Sequence, residues 1–364
     1  APPAPPPLEP AAATGIAVPL NVPAGKPVQI VNLSELDPHW HWLKPAFPHR
    51  PELVWDHVTS LSSTLPAGVP KRMTLARMLA ARRAVSLLRN SGGRAMLVSH
   101  GPRPTMYGAL ALGRRAIATP HLAYSFNFTD LPTGANRGVM SKAFESVSEF
   151  TVFSNVERAL YADYFDLPVE RFTMRHWAVR KPTVGDPQVA RIAGDYICAL
   201  GSQARDYRVL FEAMKYLPAI RLVVVTNPEC VAGLDRPANV EVMSQVPLEQ
   251  TMNILAHSRM MVLPLRDSTV PCGHVTLVSA MHLGKACVVT DSLGVSDYVQ
   301  MGVNGLTTEA CDSQALKSAI VRLYESEELC RRYGGAGAAF ATEHCSEVNA
   351  AQYFEACLSR LVKN

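Results

Sequence analysis

Short apolar segments alternate with longer segments of helical spacing along most of the chain, and this alternation limits the fold more than any other feature. The apolar, β-branched segments predict strands at Val28–Leu33, Leu53–Val58, Ala95–Ser99, Ala116–Phe126, Phe150–Ser154, Tyr196–Leu200, Arg221–Val225, Val240–Met243, Met260–Pro264 and Ala286–Thr290. The other segments predict helices at Thr74–Arg89, Thr105–Leu112, Lys142–Val147, Asn155–Phe165, Tyr207–Lys215, Leu248–His257, Val275–His282, Gln314–Ser326 and Ala350–Leu361. Such alternation is typical of parallel sheets covered on both faces. The predicted fold class is therefore α/β, with two Rossmann-like domains that face a cleft.

The length of 364 residues suits two domains at roughly 150 residues each. Residues 1–26 are rich in Pro and Ala and predict a flexible leader. The first domain is predicted at 27–180 and the second at 188–345, with a linker near 182–187. A last segment, 346–364, is predicted to form a helix that crosses back to the first domain.

Charge is distributed unevenly along the chain. The net charge is +4 at pH 7, yet the stretch from His57 to Thr129 contains ten Lys and Arg residues and no Asp or Glu. This asymmetry predicts that the first domain faces something anionic. The alternative is a set of solvated helices whose counter-charges come from elsewhere in the fold. No run of 18 apolar residues occurs, so no membrane-spanning helix is expected.

Cysteine usage indicates a reducing compartment. None of the eight cysteines precedes Cys198, and no two of them form a C-x-x-C pair. This distribution argues against a zinc ribbon and a disulfide scaffold. It predicts free thiols and a cytoplasmic protein.

One loop in the second half has the features of an anion site. A strand ends at Pro264, the next loop carries Arg266, and Gly273 precedes a helix that opens near His274. The free N–H groups at a helix opening attract anions, and a glycine allows close approach to the backbone. The alternative is an ordinary connection between a strand and a helix.

A second loop of the same half supplies a cation. Gly201 follows a predicted strand, and Arg205 and Arg208 stand at the start of the next helix. A cation there is unfavourable for the helix, which suggests that an anion binds beside it. The alternative is that Arg205 pairs with Asp206 or with solvent.

These two loops are part of a longer series of motifs. Gly201 and Arg205 are followed by Leu210-Phe-Glu-Ala213, and Gly273 begins a segment that runs through Ala280-Met-His-Leu-Gly-Lys-Ala-Cys-Val-Val289 to Gly294 and Asn304-Gly-Leu306. The series resembles the nucleotide-sugar-binding domain of retaining family 4 glycosyltransferases of the GT-B fold. The resemblance covers roughly residues 196–340, and the segment 153–161 resembles the last strand and helix of that family's first domain.

The resemblance implies a transfer of a sugar from a nucleoside diphosphate to an acceptor, with retention at the anomeric carbon. The expected catalytic residues are Arg205, His100 and Asn127. The expected substrate-binding residues are Gly201, Arg205, Val246, Pro247, Arg266, Gly273, His274, Val275, Thr276 and Ser279, with the nucleobase against the 245–247 loop. The first domain would bind the acceptor and the second the nucleotide sugar.

Two departures from the family pattern stand at Pro271 and Ser279, where the family has paired glutamates. The second glutamate normally holds the donor ribose, and Ser279 offers a shorter hydrogen bond. The chain contains no Asp-x-Asp, which argues against the metal-dependent GT-A class. Neither a metal nor a cofactor is therefore expected.

Other motifs leave alternatives open. His39-Trp-His-Trp42 suits simple packing of a loop, contact of the Trp rings with a sugar or a membrane interface, or a metal held by His39 and His41. His100 and His121 are expected near the cleft, either as structural or as functional residues. The Gly334–Ala339 run is expected to be a turn at a helix end.

The functional prediction is a hexosyltransferase that uses an oligosaccharide or lipid-linked acceptor in bacterial surface-polysaccharide or glycolipid biosynthesis. Its expected partners are the donor, the acceptor and an anionic membrane surface, at the inner face of the cytoplasmic membrane. The alternatives are a catalytically weakened homologue that acts as an interaction subunit, and a two-lobed solute-binding protein. A nucleic-acid binder is disfavoured because the basic segment has no recognition motif.

Overall fold

The computed structural model describes residues 27–64, 72–89, 94–186, 188–266 and 271–362. The leader predicted at residues 1–26 lies outside these ranges. All eight cysteines lie within them, and all have free thiols. In the described part of the chain, no helix is both long and apolar enough to cross a membrane.

The first domain contains a six-stranded parallel sheet in the order β2-β1-β3-β4-β5-β6. Its strands are β1 (Val28–Ser34), β2 (Leu53–Thr59), β3 (Ala95–His100), β4 (His121–Tyr124), β5 (Glu149–Val152) and β6 (Phe172–Met174). Its helices are α1 (Met73–Arg89), α2 (Pro102–Leu112), α3 (Gly134–Phe144) and α4 (Asn155–Phe165).

The second domain repeats this arrangement in the order β12-β11-β10-β7-β8-β9, again fully parallel. Its strands are β7 (Ile197–Leu200), β8 (Leu222–Val225), β9 (Val240–Met243), β10 (Met261–Leu263), β11 (Cys287–Thr290) and β12 (Leu306–Thr308). Its helices are α5 (Tyr207–Lys215), α6 (Leu248–His257), α7 (His274–His282), α8 (Ser313–Tyr324) and α9 (Glu327–His344). Two parallel sheets with helices on their faces confirm the predicted fold class.

The last helix, α10 (Glu347–Leu361), packs against the first domain rather than the second. Phe354 and Leu358 share a buried cluster with Ile30 and Val98 of the first sheet. Arg360 forms an ion pair with the buried Glu149 carboxylate at the start of β5. The opposite face of the same sheet is covered by α1 and α2.

Two predicted elements of the first domain are wrong in their bounds. The strand predicted at 116–126 is reduced to His121–Tyr124, because a short 3-10 helix occupies Gly113–Ile117 and Pro120 has no N–H for the sheet. The helix predicted at 142–147 spans Gly134–Phe144 instead. Gly134 and Gly138 weaken its helical signal, and the burial of Met140, Ala143 and Phe144 compensates.

The N-cap of α4 is Ser154, the residue directly before Asn155. The Ser154 hydroxyl accepts a hydrogen bond from the Glu157 backbone N–H at 3.0 Å. The Glu157 carboxylate in turn accepts from the Phe153 N–H at 2.8 Å, so this turn satisfies its own N–H groups.

The glycine run at 334–339 lies inside α9 and does not form a turn, which corrects the expectation for it. A Cβ atom at Gly334 would lie 2.0 Å from the Gly284 carbonyl oxygen, and one at Gly337 would lie 3.4 Å from the Met281 side chain. Gly334 and Gly337 therefore allow α9 to cross closely over α7 and the connection from α7 to β11.

Candidate functional site

Arg205 lies between β7 and α5, where the second sheet presents the carboxyl ends of its strands. It is 4% exposed, and it donates from Nε to Leu200 O at 3.0 Å, from Nη1 to Gln203 O at 2.8 Å and from Nη2 to Thr276 Oγ1 at 2.9 Å. Among the described residues, no carboxylate lies within ion-pair distance of it. Burial lowers the pKa of this guanidinium from its usual value.

The sequence analysis left open that Arg205 pairs with Asp206 or with solvent, and both alternatives are wrong. Asp206 instead caps α5, where its Oδ1 accepts from the Val209 N–H at 3.2 Å, and its Oδ2 lies 3.8 Å from Arg208. Arg208 is largely exposed. A buried cation with no carboxylate partner among the described residues is costly, so this arrangement favours a bound anion.

Gly201 lies directly beneath the Arg205 guanidinium. Its φ is +100°, and a Cβ atom there would lie 2.7 Å from Arg205 Nη2. The Tyr207 hydroxyl donates to the Gly201 carbonyl and fixes the turn. The loop therefore needs a glycine both for its backbone conformation and for the position of the arginine.

The opening of α7 is brought against the Arg205 loop. Gly273 is its N-cap with φ +87°, and a Cβ atom there would lie 3.1 Å from Leu265 Cδ2. Thr276, in the first turn of α7, accepts from Arg205. Arg266 has a largely exposed side chain whose Nε donates to the Arg205 carbonyl at 3.1 Å. Five predicted donor-site residues thus come together: Gly201, Arg205, Arg266, Gly273 and Thr276.

His274 is a buried and uncharged member of the same helix opening. Burial lowers its pKa to about 4, while a hydrogen bond with the Gly294 backbone acts in the opposite direction. Its ring centroid lies 4.7 Å from that of Tyr298, and its Nε2 has no partner in the described structure. The imidazole therefore connects the α7 opening to the loop after β11.

Two further predicted substrate-binding residues of α7, Val275 and Ser279, differ in their exposure to solvent. Val275 is exposed at the helix opening. Ser279 is buried, and its hydroxyl donates to Val275 O at 2.7 Å, one turn back in the helix. The Ser279 hydroxyl therefore donates its hydrogen bond within α7.

Val246 and Pro247 lie beyond β9, at the edge of the sheet order and two strands away from β7. Pro247 is the N-cap of α6, and Gln245 before it has a positive φ of 54°. This loop shares no hydrogen bond with the Arg205 loop among the described residues.

His100 ends β3 at the carboxyl edge of the first sheet. It is buried, its Nε2 lies 3.3 Å from Asn32 Oδ1, and burial lowers its pKa to about 3. The rings of Trp40 and Trp42 pack edge-on against it at centroid distances of 4.7 and 4.8 Å. Of the three alternatives for the 39–42 loop, these ring contacts favour simple packing.

Three other histidines named in the sequence analysis, His39, His41 and His121, differ in burial. His121 is buried with its Nε2 2.8 Å from Ser99 Oγ. His39 and His41 are exposed. Within the described ranges, no group of three or more His, Cys, Asp and Glu side chains is placed to hold a metal ion.

Asn127 lies in the loop after β4, which approaches the second domain. Two residues further on, Thr129 Oγ1 accepts from Gln203 Nε2 at 2.7 Å. Gln203 also accepts from Arg205. The loop that carries Asn127 thus contacts the Arg205 loop through Thr129, whereas the hydrogen bond and ring contacts of His100 among the described residues lie within the first domain.

Sequence reasoning missed the seam between the domains, which includes Asp297 and Tyr298. Asp297 accepts from the Asn155 backbone N–H at 2.8 Å and from its side-chain amide at 2.7 Å. The Tyr298 hydroxyl donates to Phe153 O at 2.8 Å and accepts from the Trp177 N–H at 2.9 Å. In the sequence, Gly294 was the residue that could have indicated this close contact between the domains.

Gly294 shows how closely the domains meet. Its φ is +81°, and a Cβ atom there would lie 2.9 Å from Ser154 Cβ in the first domain and 3.0 Å from Pro271 Cβ. Pro271, one of the two departures from the family pattern, therefore lies at the seam, close to Gly294.

The comparisons with known proteins concern the fold and the second domain. Residues 195–326 match the model of the family described as "Glycosyl transferases group 1". No curated protein matches the chain in sequence.

Solved structures of similar fold cover almost the whole chain. Anabaena Alr3699/HepE in complex with UDP-glucose is 16% identical with a TM-score of 0.69, over 92% of this chain and all of the other. Sucrose-phosphate synthase from Thermosynechococcus elongatus is 14% identical with a TM-score of 0.68, over 91% and 99%. The α,α-trehalose 6-phosphate synthase from Burkholderia multivorans is 9% identical with a TM-score of 0.66, over 92% and 98%. The resemblance to GT-B glycosyltransferases is confirmed at the level of the fold and of the second domain.

Proposed function

We propose that this chain, whose second domain is a glycosyl transferases group 1 domain in a GT-B fold, transfers a hexose from a UDP-sugar to an oligosaccharide or lipid-linked acceptor. The observation that carries the proposal is the buried Arg205 guanidinium, which faces the opening of α7 and has no carboxylate partner among the described residues. The choice of uridine rests on the UDP-glucose bound to the Alr3699/HepE structure.

The donor diphosphate would lie between Arg205 and α7. A guanidinium has five N–H groups, and three of those on Arg205 donate to the protein. The other two, one on each Nη, are available for a phosphate. The backbone N–H groups at His274–Thr276 supply further donors and the positive end of the helix dipole.

Chemistry at this site consists mainly of stabilising the leaving group. When the anomeric C–O bond breaks, negative charge develops on the oxygen of the β-phosphate. Arg205 and the α7 N–H groups would bind that charge better than the charge of the intact donor, which lowers the barrier. We propose that no metal takes part and that the anomeric configuration is retained, as in the family that the motifs resemble.

The acceptor would enter from the first domain. Asn127 lies on the loop that already contacts the Arg205 loop through Thr129 and Gln203. His100 is uncharged at neutral pH, because burial lowers its pKa to about 3, so it would act as a neutral hydrogen-bonding group. We propose a role in surface-polysaccharide or glycolipid biosynthesis at the cytoplasmic face of the membrane.

The first test is donor hydrolysis across a panel of UDP-, GDP- and ADP-sugars, followed by transfer to oligosaccharide and lipid-linked acceptors. We expect turnover of a UDP-sugar that persists in EDTA. A loss of turnover in EDTA that Mg²⁺ or Mn²⁺ restores would refute the metal-free mechanism. Absence of turnover with every donor would refute the proposed activity.

A catalytically weakened homologue is the second candidate, favoured by Pro271 and Ser279. Pro271 packs beside Gly294, and the Ser279 hydroxyl donates within α7, so neither replaces a family glutamate directly. This candidate predicts that UDP raises the melting temperature while no donor is turned over. Measurable transfer by the same preparation would exclude it.

A further inference from the structure

The helices α1 and α2 form one continuous outer surface on the first domain. They pack against each other and share a buried cluster with Val31, Leu33 and Leu97 on one face of the sheet. Their outward sides therefore point away from the sheet in the same direction. We call this surface the basic face. It also includes the residues that flank the two helices, Arg72 before α1 and the 3-10 helix Gly113–Ile117 after α2. Its exposed members are Arg72, Met78, Leu79, Arg82, Arg83, Arg89, Arg103, Leu110, Arg114 and Arg115.

Within the described part of the chain, no ion pair balances the positive charges of the basic face. The neighbouring Arg77 is paired with Glu35, and Arg94 lies near Glu52. For the seven arginines of the basic face, no ion pair occurs among the described residues. The chain itself places no Asp or Glu between His57 and Thr129. The structure therefore concentrates cations on one surface, and no described carboxylate forms an ion pair with them.

Large apolar side chains are exposed among these arginines. Met78 is 41% exposed, Leu79 is 40% exposed and Leu110 is 52% exposed. Met78 and Leu79 stand one helical turn before Arg82 and Arg83, on the same side of α1. An apolar strip flanked by arginines is typical of a helix that lies in the interface of a bilayer, with its cations at the headgroups.

The other side of the sheet has the opposite character. It is covered by α10, whose Glu347 and Glu355 pair with Arg180 and Arg50. Among the described residues, the α1–α2 side therefore carries seven arginines without an ion pair, whereas Arg50 and Arg180 on the α10 side are paired. A soluble polyanion would need the arginines but would have no use for exposed Met78, Leu79 and Leu110.

We propose that the basic face docks on an anionic phospholipid bilayer, with Met78, Leu79 and Leu110 inserted among the headgroups. This inference specifies the surface behind the membrane location proposed above. Bilayer binding needs neither donor nor acceptor, so the docking surface and the transferase activity can fail separately.

The experiment measures cosedimentation of the full chain with vesicles of phosphatidylcholine alone and of phosphatidylcholine with phosphatidylglycerol. We expect binding only to the anionic vesicles, and a loss of that binding in high salt. An arginine near an anionic surface contributes about fivefold in partition, so Arg82→Ala with Arg83→Ala should weaken it about 10- to 30-fold. The matched control is Arg322→Ala with Arg331→Ala, two exposed arginines of the second domain.

A second variant separates a bilayer from a soluble polyanion. Met78→Gln with Leu79→Gln keeps every charge, so we expect weaker vesicle binding and unchanged binding to heparin. Circular dichroism and melting temperature check that each variant is folded. The proposal is overturned if anionic vesicles do not bind, if the control variant weakens binding as much, or if the Met78 and Leu79 variant binds vesicles like the parent. Self-association that buries the basic face and abolishes vesicle binding would also overturn it.

Discussion

Three of the N–H groups on Arg205 donate to Leu200 O, Gln203 O and Thr276 Oγ1, and these acceptors belong to three different parts of the second domain. From the sequence alone, the position of Arg205 at a helix start predicts that an alanine variant has a nearly unchanged or slightly higher melting temperature. The structure changes that expectation, because the guanidinium also supports the loop. In the proposed mechanism, one residue thus both shapes the loop and binds the diphosphate.

We therefore expect Arg205→Ala to lower both activity and stability. A charge-assisted hydrogen bond to a desolvated diphosphate is worth about 1.5–3 kcal/mol, which corresponds to roughly 10- to 1000-fold in kcat/KM when it strengthens in the transition state. The orphaned carbonyls should cost about 1–3 kcal/mol of unfolding free energy. Donor kinetics and thermal melts measure the two effects.

The control for this variant is Arg208→Ala, because Arg208 is exposed and lies further into α5. We expect its activity and melting temperature to stay close to those of the parent. An Arg205→Ala protein with full activity would show that the Gly201–Ala213 segment does not bind the donor.

Three buried imidazoles make stability depend on pH. Burial lowers the pKa of His100 and His121 to about 3 and that of His274 to about 4, whereas each titrates near 6.5 when unfolded. Between pH 6.5 and these values the unfolded chain binds more protons, so acidification favours unfolding. Glu157 opposes this trend above pH 4.5, because its pKa is raised to about 7 by burial.

The net effect should be a melting temperature that falls from pH 6.5 to pH 5. Each of the three histidines contributes up to about 1.4 kcal/mol per pH unit to the slope of the unfolding free energy. Glu157 contributes a slope of about the same size and of opposite sign. His274→Gln should reduce the slope relative to the parent. An unfolding free energy that is flat or rises on acidification in this range would contradict the assignment.

At the scale of elements, sequence periodicity predicted α4 of the first domain and most of the second domain. The bounds of Asn155–Phe165, Tyr207–Lys215, Val240–Met243 and Leu248–His257 agree with the structure. These elements have strong local patterns, and Ser154, Asp206 and Pro247 start their helices. The three-residue strands β6 and β12 were missed because such short runs carry no period of their own.

The α9 helix was missed for a different reason. Its glycines lower the local helix propensity by roughly 1 kcal/mol each relative to alanine. Tertiary contact overrides that propensity, since Gly334 lies against the Gly284 carbonyl and only a residue without Cβ fits there. Sequence alone does not show which segment a glycine will face.

This close crossing predicts opposite outcomes for two neighbouring glycines. Gly334→Ala would place a Cβ atom 2.0 Å from Gly284 O, so we expect α9 to shift and the melting temperature to fall by several degrees. A Cβ atom at Gly335 meets nothing within 4 Å. Gly335→Ala should therefore raise helix propensity and leave the melting temperature unchanged or slightly higher. Equal effects in thermal melts would contradict the crossing.

At the scale of the whole molecule, the meeting of the two glycine-containing loops was predictable and the seam was not. Gly201, Arg205 and Gly273 are marked by their residue types next to strands, so a local pattern identifies them. The Asn155–Asp297 and Phe153–Tyr298 contacts join residues more than 140 positions apart. Nothing in either segment alone indicates its partner, which is why the cleft was predicted but its closing contacts were not.

The seam suggests that the donor loops and the first domain are energetically coupled. Asp297 lies at the N-terminal end of α4, where its carboxylate accepts two hydrogen bonds from Asn155 and is favoured by the helix dipole. Asp297 belongs to the same loop as Gly294, which packs on Ser154 beside the opening of α7. A loss of these contacts should therefore loosen both the domain arrangement and the loop that faces the donor.

A double-mutant cycle of Asn155→Ala and Asp297→Ala tests this coupling. We expect an interaction free energy of about 0.5–3 kcal/mol in unfolding, because the two side chains share one network. The exposed Lys142–Glu145 pair within the first domain is the matched control and should give less than about 0.5 kcal/mol. We also expect Asp297→Ala to weaken UDP binding, while the control variants leave it unchanged. Additive single effects would show that Asn155 and Asp297 act independently, and the domains would then be held by Tyr298 and the α10 contacts instead.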